Sequence, residues 1–125
     1  MSNLNRCIMS HFEELKVWQR AVDLAVNVYE ITKKEPFNKD FGLRDQMRRA
    51  SVSISSNIAE GDQMESDKSS VRYLRIAKGS AAELYTQSII AARIEYLENN
   101  DFEFLMKETK ETLSMLSALI KHRDR

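Results

Sequence analysis

Apolar residues recur every three or four positions along most of the chain, which is the spacing of helical faces. The segment Ser51–Ser55 alternates polar and apolar residues like a short strand when it is read alone. The longer window predicts the second half of a helix instead, because its apolar or small positions are Leu43, Met47, Ala50, Ile54, Ile58 and Gly61. Serine and asparagine side chains compete for backbone hydrogen bonds inside a helix, so contacts with other helices must hold this segment in place.

The breaks in this pattern divide the chain into four helices. One proline and three glycines are present, and this scarcity favours long helices with few connections. We predict a flexible N-terminal leader over residues 1–10 and a helical domain over residues 11–122, with helices at about 11–34, 43–60, 66–98 and 101–122. Short connections favour antiparallel neighbours. The predicted fold class is therefore all-α, an antiparallel up-down four-helix bundle.

Local signals suggest where each helix begins and ends. Pro36 lies in the first connection, Gly61 is placed to end the second helix, and Ser66 is placed to cap the third. Two capping boxes are predicted to begin the first and last helices, Ser10 with Glu13 and Asn100 with Glu103.

Two of the predicted helices are apolar on two sides. In the first helix one stripe contains Leu15, Trp18, Val22, Ala25 and Tyr29, and a second contains Val17, Ala21, Leu24, Val28 and Ile31. In the third helix Ile76, Ile90 and Ile94 lie opposite the main apolar stripe. Since the core of a small monomer buries one side of a helix, the other side is predicted to contact another subunit or a partner. The alternative is scattered surface apolar residues, which are common.

Polar residues follow the flanks on which the second and third helices are predicted to meet. Small residues at 51–59 and 79–82 would let the two backbones approach closely. Glu83 lies among isoleucines, so we expect Arg49 or the amide of Asn57 to pair with it. The predicted inter-helix network comprises Gln46, Arg49, Ser53, Asn57, Glu60, Ser80, Glu83 and Gln87. The competing interpretation is a catalytic pair of Glu60 and Glu83, which lacks a suitably placed histidine or nucleophile.

The charge balance limits the classes of partner. The 125 residues include 19 Lys plus Arg and 19 Asp plus Glu, so the formal net charge is zero and predicts no general attraction to nucleic acid or an anionic membrane. A local nucleic-acid contact is a narrower hypothesis, and its candidate residues are Arg44, Arg48, Arg72, Tyr73, Arg75 and Lys78. Intervening acids at Asp45, Glu65 and Asp67 favour a solvated face of mixed charge instead.

The chain has no signature of an enzyme, a metal site or a cofactor. It contains neither a phosphate-binding glycine loop nor a cluster of metal ligands. The single cysteine, Cys7, cannot form an internal disulfide and agrees with a reducing compartment. No apolar run is long enough for a signal peptide or a membrane span. We predict a cytoplasmic protein that is not an enzyme, binds no metal or cofactor, and has no membrane partner.

Three segments together carry a resemblance to a known family: FEELKVWQRAVDLAVNVYEIT, FGLRDQMRRASVSISSNIAEG and YLRIAKGSAAELYTQ. In this order they resemble the small four-helix-bundle family named for reading frames in the intervening sequences of bacterial 23S rRNA genes. The resemblance covers residues 12–97. Its most specific positions are Leu15 with Trp18, Phe41-Gly42-Leu43, Gln46, Ser53-Ile54, Asn57-Ile58-Ala59-Glu60-Gly61, and Gly79-Ser80 with Glu83.

The resemblance implies a bundle that assembles as a ring-shaped homopentamer. It also implies kinship with the accessory variability protein of diversity-generating retroelements, a similar pentameric bundle that binds reverse transcriptase and nucleic acid. That relative is typically basic, whereas this chain is neutral. The resemblance transfers no catalytic residue. It favours a non-enzymatic homo-oligomeric scaffold that binds RNA and a reverse transcriptase; the alternative is a protein–protein interaction module without a nucleic-acid role.

Overall fold

The computed structural model describes residues 11–124, and in this part of the chain it forms an all-α four-helix bundle. The helices are α1 (Lys16–Thr32), α2 (Phe41–Gln63), α3 (Asp67–Arg93) and α4 (Asn99–Arg123), with 3-10 turns at His11–Glu14 and Phe37–Lys39. Each helix packs against the next, and α4 packs against α1 to close the bundle. None of the helices between residues 11 and 124 has an apolar stretch that could cross a lipid bilayer. The predicted leader, with Cys7 and Ser10, lies outside the described residues.

The observed helix ends differ from the predicted ones in several places. The first helix begins at Lys16 rather than at residue 11, and α2 begins at Phe41. Ser66 caps α3 as predicted, since its hydroxyl accepts a hydrogen bond from Ser69 N at 3.1 Å. The predicted capping box of Asn100 and Glu103 does not form, because α4 begins two residues earlier than predicted, after Glu98.

Helix α3 ends at Arg93, five residues before the predicted end, through a left-handed residue. Glu95 has φ of 64°, and its N–H donates to Ala92 O at 3.0 Å while Tyr96 N–H donates to Ala91 O at 2.9 Å. This pair of reversed hydrogen bonds is the Schellman ending, in which glycine is the usual left-handed residue. Because glutamate occupies the position, the sequence carries no glycine signal for this helix end.

The connection between α1 and α2 is anchored in the core and clamped to the end of α3. Phe37 is completely buried, and its ring packs edge-on against Tyr96 with centroids 5.2 Å apart. The Tyr96 hydroxyl donates to Asp40 Oδ2 at 2.9 Å, while Asp40 Oδ1 accepts from Leu43 N at 3.1 Å and caps α2. One carboxylate therefore joins the start of α2 to the segment that follows α3.

Gly61 serves close packing between α2 and α3 rather than ending α2, which continues to Gln63. A Cβ atom at Gly61 would lie 3.1 Å from Ser70 O and 3.3 Å from Tyr73 Cβ, so the backbone of α3 occupies the space a side chain would need. Gly79, by contrast, has nothing within 4 Å of its Cβ position.

The two glycines predict opposite effects of substitution. Gly61→Val is expected to lower the free energy of unfolding by about 1–3 kcal/mol, because the added side chain pushes α2 and α3 apart. Gly79→Ala is expected to raise it by about 0.5–1 kcal/mol, because alanine favours an exposed helix interior. Urea unfolding followed by circular dichroism measures both. A Gly61→Val protein as stable as the native chain would contradict the close approach.

A second prediction concerns alkaline pH. The hydrogen bond to Asp40, then partial burial, then the charge of that carboxylate raise the pKa of the Tyr96 phenol above its ordinary value. The folded chain therefore holds this proton more tightly than the unfolded chain does. The resulting stability is fully present below about pH 10 and is lost as pH rises from there through the folded-state pKa. In urea unfolding between neutral pH and pH 11, Tyr96→Phe is expected to remove this part of the decline, whereas Tyr85→Phe should retain it.

Candidate interaction surfaces

Helices α2 and α3 meet through small polar side chains near their centres. Ser53 Oγ and Ser80 Oγ are hydrogen-bonded at 2.9 Å, and Asn57 Nδ2 donates to Ser53 Oγ at 3.0 Å and to Ser53 O at 2.9 Å. Such short side chains let two helix backbones lie close together. This part of the predicted network is present, and the serine pair fixes the register of the two antiparallel helices.

In the described part of the chain, the rest of the predicted network is reduced to one long hydrogen bond between Gln87 and Glu83. Glu83 is exposed and is reached by Gln87 Nε2 alone, at 3.5 Å. Gln87 is buried, and its Oε1 has no hydrogen-bond partner among residues 11–124. The predicted pairing of Glu83 with Arg49 or Asn57 does not form, since the Glu83 side chain is exposed and the Asn57 amide donates to Ser53 instead. The other predicted members are exposed and make no side-chain hydrogen bond or ion pair within residues 11–124: Gln46, Arg49 and Glu60.

The alternative carboxylate pair also fails on geometry. With Ser53 opposite Ser80, Glu60 and Glu83 lie on opposite sides of this level and about 15 Å apart along the bundle axis. Two carboxylates at that separation cannot share one proton or flank one bond. Between residues 11 and 124 there is likewise no group of three or more His, Cys, Asp or Glu side chains that could hold a metal ion.

One apolar surface, which we call the α3 face, lies along the outer edge of α3 next to α2. Ile76, Ile90 and Ile94 are each nearly half exposed, at 44%, 47% and 46%, and Glu83 lies between them in the same helical stripe. Isoleucines so exposed, and aligned along nearly 20 residues of one helix, form a continuous surface rather than scattered apolar positions.

A second apolar surface, which we call the α1–α2 face, fills the groove between the first two helices. The guanidinium of Arg48 lies 4.6 Å from the Tyr29 ring centroid, and its Nε donates to Thr32 Oγ1 at 2.9 Å. These contacts place α2 beside the Tyr29 stripe of α1. The face consists of Trp18, Val22, Val26 and Tyr29 from α1 and Val52 from α2, of which the last three are 40–56% exposed.

Most of this second face, but not all of it, could be predicted from the sequence. Trp18, Val22 and Tyr29 belong to the stripe that was predicted on the first helix. Val26 is one turn after Val22 and could have been added to the stripe from spacing alone. Val52 could not be predicted in this way, because only the packing of α1 on α2 shows which side of α2 borders the groove.

The six candidate nucleic-acid contacts do not form one patch. Arg44 and Arg48 lie near the start of α2 and are engaged: Arg44 Nε lies 2.9 Å from Asp45 Oδ1, and Arg48 contacts Tyr29 and Thr32 as described above. Arg72, Arg75 and Lys78 are exposed in the first half of α3. Because α2 and α3 are antiparallel and Ser53 lies opposite Ser80, residues of the two groups are about 10–25 Å apart along the bundle.

Tyr73 does not lie between the exposed arginines of α3. It is half-buried, and its Cβ packs beside Gly61 of α2. Arg75 is directed the other way, since it forms an ion pair of 3.2 Å with Asp124 at the end of α4.

Comparison with known proteins agrees with the fold and with the resemblance seen in the sequence. The structure is similar to the crystal structure of a protein of unknown function from the S23 ribosomal protein family of Bacteroides thetaiotaomicron, with a TM-score of 0.78 and 27% sequence identity over 84% of this chain and 98% of that one. No curated protein matches the chain significantly. The family model described as 23S rRNA-intervening sequence protein matches residues 13–118. The chain therefore belongs to the family of 23S rRNA-intervening sequence proteins.

Proposed function

We propose that this protein is a non-enzymatic scaffold that assembles from identical chains, with the α3 face of one subunit packed on the α1–α2 face of the next. The observation that carries the proposal is the presence of two separate apolar faces on one small bundle. Exposed apolar surfaces of this extent mark interaction sites. Burying them between subunits removes both from water.

The arrangement of the faces supports a ring. Two different faces in contact make a heterologous interface, which closes into a ring when the rotation between neighbours permits. The faces lie on adjacent sides of a four-helix bundle, which are about 90° apart. Each subunit occupies a wedge of about 90° in a ring of four and about 72° in a ring of five. The geometry therefore supports a small ring of about four or five subunits, and the family resemblance implies five.

Charge also favours contact between the two unlike faces. Glu83 is the charged residue within the α3 face, and Arg48 borders the α1–α2 face. In a heterologous contact Glu83 of one subunit would approach Arg48 of the next. Two copies of the α3 face brought together would instead place like charges near each other. The cationic partner that Glu83 lacks within residues 11–124 would thus be supplied by the neighbour.

The ring would leave α4 and the outer side of α3 open. Those surfaces are available to further partners, for which the family resemblance suggests nucleic acid and a reverse transcriptase. The scaffold itself needs neither of them to assemble.

A mixing experiment tests the heterologous contact. Ile76→Glu/Ile90→Glu damages the α3 face, and Val26→Glu/Val52→Glu damages the α1–α2 face. Light scattering is expected to give a multiple of 14.5 kDa for the native protein and 14.5 kDa for each variant. An equimolar mixture of the two variants is expected to give twice that mass, because each retains the face that the other has lost.

The matched control is Asn100→Glu/Ser114→Glu, which adds the same charges at exposed polar positions of α4, outside both faces, and should keep the native mass. A mixture that stays monomeric would contradict the heterologous contact. A monomeric native protein would contradict the assembly and favour the alternative, in which the apolar faces bind a different protein.

Glu83 gives a separate test of the charge pairing. Glu83→Arg is expected to leave the free energy of unfolding of the chain within about 0.5 kcal/mol, because the side chain is exposed. It is expected to weaken assembly at least tenfold, whereas Glu83→Gln should weaken it less. Urea unfolding and light scattering over a concentration series measure the two effects. Loss of chain stability with unchanged assembly would show that Glu83 acts within the bundle.

A further inference from the structure

Two facing stripes of side chains line the outer groove between α3 and α4, on the side of α3 away from the assembly faces. Lys110 Nζ lies 5.9 Å from the Tyr85 ring centroid, and Arg75 pairs with Asp124, so these helices face each other along the groove. The α3 stripe is Arg75, Lys78, Ala82, Tyr85, Ile89 and Arg93; the α4 stripe is Glu103, Lys107, Lys110, Ser114, Ser117 and Lys121.

This groove, which we call the α3–α4 basic surface, concentrates positive charge on a neutral chain. Six cations share it with two carboxylates, Glu103 and Asp124. Arg75 is paired with Asp124. The other five cations form no ion pair in the described part of the chain: Lys78, Arg93, Lys107, Lys110 and Lys121. Their charges are therefore available to a ligand.

The side of the bundle between α1 and α4 is the acidic counterpart. There Arg20 pairs with Glu108 at 3.1 Å, and Lys34 pairs with Asp101 at 2.9 Å. In all, three cations and five carboxylates lie on that side: Lys16, Arg20, Lys34, Asp23, Glu30, Asp101, Glu108 and Glu111. Although the net charge of the sequence is zero, positive and negative charges are thus concentrated on two different sides of the bundle.

The basic surface is long enough for several phosphates. From Arg75 to Arg93 it extends for about 27 Å along α3. At the start of α3 it continues into an open cleft of about 750 Å³ against the end of α4, whose lining adds Lys68, Arg72 and Arg123 and includes Asp67 and Asp124. Cations therefore follow the groove from one end of the bundle to the other.

We propose that the α3–α4 basic surface binds the phosphate backbone of a nucleic acid. Lysine and arginine side chains spaced along a groove neutralise successive phosphates and release their counterions. The hydroxyls of Ser114 and Ser117 can donate to phosphate oxygens, and the half-buried Tyr85 ring offers a flat surface beside Lys110. The proposal names a partner for the scaffold function proposed above and rests on that function only for the number of copies that an assembly would display.

The test is fluorescence anisotropy of a short labelled single-stranded RNA. Lys78→Gln/Lys110→Gln/Lys121→Gln is expected to bind at least tenfold more weakly than the native protein at about 50 mM salt. The slope of log affinity against log salt concentration is expected to fall by about 2, since each lost phosphate contact removes about 0.7 for a single strand. The control Lys16→Gln/Lys33→Gln/Lys39→Gln changes the net charge equally outside the groove and should bind within twofold of the native protein.

Three results would overturn the proposal. The first is no binding by the native protein at low salt, and the second is equal weakening by the control. The third is displacement of the RNA by polyglutamate at equal charge concentration, which would indicate an acidic protein as partner. Light scattering of the same samples keeps this test separate from the assembly proposal, because groove binding can fail in an intact ring and can persist in a monomeric variant.

Discussion

The close approach of α2 and α3 is the constraint on which the rest of the bundle depends. The hydroxyls of Ser53 and Ser80 are hydrogen-bonded, and the backbone of α3 packs where a side chain at Gly61 would lie. A seam built from such small residues buries little apolar surface itself. The large apolar side chains of the same helices therefore lie beside the seam, as Ile76 and Ile90 do on α3. The packing that closes the monomer also creates the surface that a second chain can cover.

Polar clamps hold the two ends of the bundle while the seam holds its centre. At one end Asp40 joins α2 to Tyr96. At the other end Arg123 of α4 donates to Asp62 Oδ1 at 2.8 Å and to Ser70 Oγ at 2.7 Å. Partly buried polar contacts such as these add less stability than hydrophobic contacts of similar size, but a misplaced helix would leave the charges of Asp40, Asp62 and Arg123 without partners. They accordingly select one helix register, and a fixed register aligns the exposed stripes of α3 with those of its neighbours.

The sequence predicted the fold because helical spacing and chain breaks are local signals, and it predicted the Ser53–Ser80 seam because runs of small residues mark close packing. The predictions were wrong where the surroundings of a residue depend on more than the spacing of residues in its own helix. Glu83 was expected to be buried because isoleucines surround it in the helix, but those isoleucines are themselves exposed. The end of α3 was missed because Glu95 adopts a left-handed conformation that usually requires glycine.

The charge pattern shows the same dependence on tertiary structure and changes the meaning of a neutral composition. Lys78 and Lys110 are 32 positions apart in the sequence, and only the antiparallel packing of α3 on α4 places them along one groove. The zero net charge of the chain excludes long-range electrostatic attraction by the molecule as a whole. Phosphates near the surface, however, interact with the charges that lie within about 10 Å. Within that distance the α3–α4 basic surface is positively charged, although carboxylates on the acidic side of the bundle help to bring the net charge of the chain to zero. Assembly through the α3 and α1–α2 faces would repeat this groove on every subunit, so local charge can attract a polyanion to a protein whose net charge is zero.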